Sequence, residues 1–143
     1  MQLRFKNAEL DKMINFIQSL TLSGAQANRG RFRLIKLLQA KTTELVDERM
    51  EIAKAYTKLD SDGNPVLHNF KFDVLPDKKN EFNKSQQELL TSDAEINVDE
   101  YKQSLSAFYT ALNNYDEKID GANVMMFGRL LDSMENSGFG VEE

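Results

Sequence analysis

The sequence predicts a mostly α fold: an antiparallel helical bundle around one long helix at about residues 31–59, with a minor β element of short strands. Three observations predict it. Ile35, Leu38, Thr42, Leu45, Arg49, Ile52, Tyr56 and Leu59 alternate at spacings of 3 and 4, uninterrupted by Gly or Pro, which keeps one stripe of a helix facing one partner. Tyr101, Leu105, Phe108, Leu112, Tyr115 and Ile119 form a second such stripe. Short polar connections such as Asp120-Gly121 place successive helices antiparallel. A 29-residue rod spans about 43 Å at 1.5 Å per residue. Such a rod needs a packing partner, because propensity alone does not hold a helix of this length in water.

The other elements follow in order. Leu3-Arg4-Phe5 alternates as a short strand, and Asn7 suits an N-cap. Leu10, Met13, Ile17 and Leu20 make the stripe of a first helix near residues 8–20, with Phe16 widening it. Ser23-Gly24 breaks that helix, and Gly30 reads as the start of the rod or a soft first turn. For the arginines the favoured arrangement has Ser23 capping a helix that runs through residues 24–30, since Ala25, Gln26 and Ala27 are acceptable helix formers; at least one of Arg29, Arg31 and Arg33 then turns into the bundle, to pair with Asp or Glu. Residues 60–65, Asp-Ser-Asp-Gly-Asn-Pro, stop the rod in a turn. Residues 66–72 read as a strand or extended arm, and Pro76 opens a weakly amphipathic helix whose large apolar residues are Phe82, Leu89 and Leu90. Residues 94–98 alternate as another short strand, and Asp99 caps the helix of the second stripe. The strand pieces near residues 3–6, 66–72 and 95–98 are expected to assemble into one small β element. Val124, Phe127, Leu131 and Met134 mark a last helix. Residues 1–137 form a single helical domain and residues 138–143 a flexible tail on this reading.

Composition narrows the function classes. Of 143 residues, 41% are hydrophobic and 29% charged, as in a folded globular chain. The absence of Cys excludes disulfides and thiolate metal sites. No apolar run approaches the ~20 residues of a membrane span, and the first residues lack the apolar core of a signal peptide. These features point to the cytoplasm. The net charge of −5 is unevenly spread. Residues 1–41 carry eight Lys or Arg against two acidic residues, a surplus of +6, and the remainder carries ten against twenty-one. The basic end suits a phosphate, an acidic partner or the chain's own acidic half.

Three constellations are candidates for chemistry. Residues 60–64 resemble the start of an EF-hand loop, but Pro65 and Lys71 stand where that loop needs Gly and a bidentate Glu, so they read as a turn. His68 is the one histidine; without a second His or a Cys it reads as structural. Glu48 and Glu51 lie one turn apart, and Glu117 and Asp120 repeat the spacing. This pair of motifs is similar to those of all-α nucleoside triphosphate pyrophosphohydrolases, which implies carboxylates holding Mg²⁺ on substrate phosphates. The 65 residues between Glu51 and Glu117, and Asp120 at a helix end beside Gly121, depart from that family's pattern. Arg29, Arg31 and Arg33 around Phe32, with Lys36 one turn on, form the binding candidate. Arginines about an aromatic ring suit phosphates and bases, but a chain with pI near 5.0 lacks the basic signature of a nucleic-acid binder. The competing reading buries Phe32 in the core and pairs the arginines with the acidic half.

Taken in order, residues 33–38 (Arg-Leu-Ile-Lys-Leu-Leu), the turn from Asp60 to Val66, Glu81-Phe82-Asn83, Glu88-Leu89-Leu90, Ile96-Asn97-Val98 and the closing helices through Leu131 resemble a family of small phage and prophage proteins of Gram-positive bacteria, a domain of unknown function. The resemblance implies no catalytic residue and no cofactor. It implies a protein that acts through a protein partner in virion assembly or host interaction, inside the host cell or on the virion. The two apolar stripes exceed what one small domain covers, so the chain is expected to form a homodimer.

Overall fold

The computed structural model describes residues 1–141. β1 (Gln2–Lys6) pairs antiparallel with β4 (Asp93–Asn97), Leu3 opposite Ile96 and Phe5 opposite Ala94. Strand alternation sends those four side chains into the core. It sends Arg4 and Lys6 outward, 3.1 Å from Glu95 and 2.9 Å from Asp93.

After a single turn of 3-10 helix, α1 (Leu10–Ser19) buries Leu10, Met13, Phe16 and Ile17 as read from the sequence, and Ile14 besides; Leu20, also buried, follows the helix as its cap. Asn7 is not a cap: its Nδ2 donates to the Leu89 carbonyl at 2.9 Å, tying the start of the chain to α3 (Lys79–Thr91).

The long helix, α2, is as long as expected but displaced. It spans Ala25–Ala53, starting and ending six residues before the expected bounds of 31 and 59. At its start Gly24 holds φ +92, and Asn28 Nδ2 donates to the carbonyls of Leu22 and Gly24. Gly30 does not mark a start. It lies inside the helix where α4 (Lys102–Asn113) crosses, and a Cβ there would sit 2.3 Å from the Ser104 carbonyl oxygen. The absence of a side chain permits the contact. At the other end the Thr57 hydroxyl donates to the Ala53 carbonyl, 2.8 Å, and the backbone becomes extended, with Thr57 bridged to Val74 and Leu59 to Pro65. Tyr56 and Leu59 therefore fall outside the helix, because the chain on the far side of the turn supplies Lys58 with backbone partners: its N–H donates to Asp73 and its carbonyl accepts from Val66. The turn itself forms as read. The Asp60 carboxylate accepts the N–H groups of Asp62 and Asn64, at 2.9 and 3.0 Å.

The β element is split rather than single. β2 (Leu67–His68) and β3 (Lys71–Phe72) make their own hairpin, separate from β1 and β4. Its two-residue turn puts Asn69 at φ 51 and Phe70 at φ 66. Such turns match the twist of the strands but favour Asn and Gly; a left-handed bulky residue costs about 1–2 kcal/mol.

The second stripe also breaks. α4 stops at Asn113, and Tyr115 and Ile119 pack half-buried against the core from the following loop. α5 (Ala122–Asn136) buries Met126, Leu130, Ser133 and Met134 and leaves Val124 exposed, so its inward face is rotated from the expected one. The start of the expected tail, Gly138 and Phe139, is held to the domain. The N–H groups of Gly138 and Phe139 donate to the carbonyls of Glu135 and Met134, both at 3.0 Å, with Gly138 at φ +113. This is the Schellman pattern, and it turns Phe139 into the core. Beside it the Tyr109 hydroxyl donates to Glu135 at 2.8 Å; that bond, with burial and the carboxylate charge, raises the phenol above its ordinary 10.0. Glu142 and Glu143 lie outside the described residues.

The core gathers Leu34 and Leu38 of α2, Leu105, Phe108 and Leu112 of α4, and the inward faces of α1, α5, β1 and β4. α2 against α4 is the most extensive helix pairing, and only the N-terminal part of the α2 stripe meets the α4 stripe within the chain.

Candidate interaction surface

Because α2 begins at Ala25, its arginines stand in the second and third turns rather than fanning around an N-terminus. Successive helical residues are about 100° apart, so Arg29, Arg31 and Arg33 take different directions. Arg31 donates to the Leu20 carbonyl at the end of α1 and to Asn28 Oδ1. Arg33 turns the opposite way, donating to Ser104 Oγ at 3.1 Å with its guanidinium 4.8 Å from the centre of the Tyr101 ring. These two arginines are spent on the fold. Their partners are a carbonyl, an amide, a hydroxyl and an aromatic face, none of them the Asp or Glu carboxylate that was expected.

Arg29 and Lys36 are different. Both are exposed, and among the described residues neither has a carboxylate within ion-pair distance. Phe32 lies between them at spacings of 3 and 4, which puts all three on one face, turned away from Gly30, Leu34 and Leu38. Phe32 is 59% exposed, and Lys36 Nζ sits 5.5 Å from its ring centre. The expected burial of Phe32 in the core is thus corrected: Leu34 fills that role, and Phe32 is the aromatic member of an outer cation–aromatic–cation ladder. The four residues singled out by sequence divide into two that hold the fold, Arg31 and Arg33, and two that face solvent, Arg29 and Lys36. Phe32, the ring in that sequence cluster, joins the two solvent-facing cations; its 3,4 spacing from both is the signal that marks it.

The paired carboxylates lie on separate elements. Glu48 and Glu51 are on the exposed face of α2's second half, with Glu51 2.7 Å from Lys54. Glu117 and Asp120 are in the loop between α4 and α5, with Asp120 3.7 Å from Lys118. Among the described residues no group of three or more His, Asp or Glu side chains is arranged to hold a metal ion. His68 is exposed on the β2–β3 hairpin, 3.4 Å from Asp73, rather than part of an apolar face.

A polar cleft of about 640 Å³ runs between β1 and α5. Its cations are engaged: Arg4 with Glu95, Lys6 with Asp93 and Arg129 with Glu9. Ser133 Oγ bridges the open edge of β1, accepting from the Arg4 N–H and donating to its carbonyl, each at 3.0 Å. The cleft wall is therefore knit to itself. Among the described residues no helix is long and apolar enough to cross a membrane.

No curated protein and no solved structure matches the chain significantly. A family model does, over residues 1–141, and by that match the chain belongs to the family described as "Protein of unknown function (DUF1617)".

Proposed function

We propose that this protein is a non-catalytic phage or prophage protein that acts by docking, through Arg29, Phe32 and Lys36, on an acidic surface of a phage structural protein or a host protein. It works in the cytoplasm of the host cell or as part of the virion. The observation that carries this reading is the unpaired cation–aromatic–cation ladder on the outer face of α2. Arginine and aromatic side chains are the usual anchors of protein interfaces, and free cations steer an acidic partner into register. Nucleic acid is the weaker match, because the chain is acidic overall, at −5, and Arg31 and Arg33 are committed elsewhere.

A photo-crosslinking amino acid in place of Phe32, in the native host, tests this. Protein adducts are expected, and Arg29→Glu with Lys36→Glu should cut their yield about tenfold or more. Adducts to nucleic acid, or a yield unmoved by the charge reversal, would reject the docking surface.

A further inference from the structure

The part of the chain built around the C-terminal half of α2, residues 54–78 and α3 leaves apolar side chains uncovered that the ladder at the other end of α2 does not use. Leu59 and Leu67 are each 48% exposed, and Phe70 is fully exposed. Phe70 combines two costs: a bulky residue with left-handed backbone, at φ 66, and a ring wholly in water. Among the described residues no contact offsets either. Beside it, Lys71 is left free among the described residues, since it is Lys58 that pairs with Asp73, with His68 3.4 Å from the same carboxylate.

The same region carries a shallow groove. It lies between α2 and α3, open to solvent, with apolar Ile52, Ala55, Tyr56 and Leu89 beside polar Ser85, Glu88 and Ser92. A phenylalanine ring can lie against its apolar members. Glu88, on the rim, is exposed and has no cation within ion-pair distance among the described residues. Knob with cation and groove with anion thus occur on one chain.

We propose that two copies of this chain associate through these regions, Phe70 of each laid in the other's groove and Lys71 of each paired with the other's Glu88. A reciprocal contact of this kind closes on a two-fold axis and stops at a dimer. Each ring offers about 150–250 Å², and two rings with their neighbours fall short of the ~1,600 Å² of a standard interface. The dimer is accordingly weak, with Kd on the order of 10–100 µM.

Sedimentation velocity between about 5 and 500 µM brackets that Kd. The wild-type mass should climb from monomer towards dimer across the range. Phe70→Gly should remain monomeric throughout, with a Tm not lowered, because glycine accepts the left-handed turn. Lys71→Glu and Glu88→Lys should each weaken association about 5- to 10-fold, and the two together should restore it. A wild type monomeric at the highest concentration overturns the proposal, as does a Phe70→Gly variant that still dimerises or a double charge swap without rescue. A monomer that co-floats with phosphatidylserine vesicles only when Phe70 is present overturns it in favour of a membrane anchor.

Discussion

The two halves of α2 belong to one unbroken helix yet live in different surroundings. In the half nearer the N-terminus, Ala27, Gly30, Leu34 and Leu38 are buried at successive turns. They meet α4, whose Leu105, Phe108 and Leu112 are also buried. In the other half Ala53 is the one buried residue of the helix, and Thr42, Leu45, Arg49 and Ile52 are only half covered. Their partner is α3, in which Gln86 is the one buried residue. The contact there is polar: Arg49 Nε donates to Gln86 Oε1 at 3.0 Å, while the buried Gln86 Nε2 has no partner. A regular apolar spacing marks which face of a helix turns inward. The depth of burial depends on what the facing element brings, and α3 brings few large apolar side chains.

Truncating the same residue type on each half gives the widest separation. Leu38→Ala, at a site with no exposure, should cost about 3–4 kcal/mol, and Leu45→Ala, half covered, about 1. Urea denaturation of both variants checks this; equal losses would erase the contrast. Next in size is the helix crossing. Gly30→Ala forces a Cβ against the Ser104 backbone and should cost about 2–3 kcal/mol. Gly128→Ala, in α5 where a Cβ would meet nothing within 4 Å, should stabilise by about 0.5–1 kcal/mol. Thermal melts showing the two substitutions moving Tm in the same direction would mean that the α2–α4 approach is looser than the geometry says.

The smallest expected effect is the one that sharpens the polar end. Gln86→Met alone should cost about 1 kcal/mol by stranding Arg49, whereas Gln86→Met with Arg49→Met should come out near neutral, since an unpaired buried amide and a desolvated charge leave together. A double variant less stable than the single one would show that the pair contributes net stability. Hydrogen exchange offers an independent view: amides of residues 41–53 should open before those of residues 29–40.

Much of the fold was legible because it is local. The stripe of α1, the strands that became β1 and β4, the turn at residues 60–65 and the existence of one long helix all rest on periodicity and turn chemistry confined to a few neighbouring residues. At the candidate surface, the basic cluster was visible as charge, but which of its members are free was not. Arg31 finds a carbonyl 11 residues away and Arg33 a hydroxyl 71 residues away, leaving Arg29 and Lys36 to solvent.

By itself, then, the sequence determined the helical class and the identity of the segments, since hydrophobic spacing and turn residues act over one or two helical turns. The tertiary structure decided where those segments end. Helix or strand at residues 54–59 was settled by whether Lys58 finds backbone partners in Asp73 and Val66. Gly30 stayed inside α2 because Ser104 and Phe108 come too close for any side chain. It also decided that Phe32 faces out while Leu34 faces in: α4 and α1 take the opposite side of the helix, and only one face of a cylinder can be turned to the core.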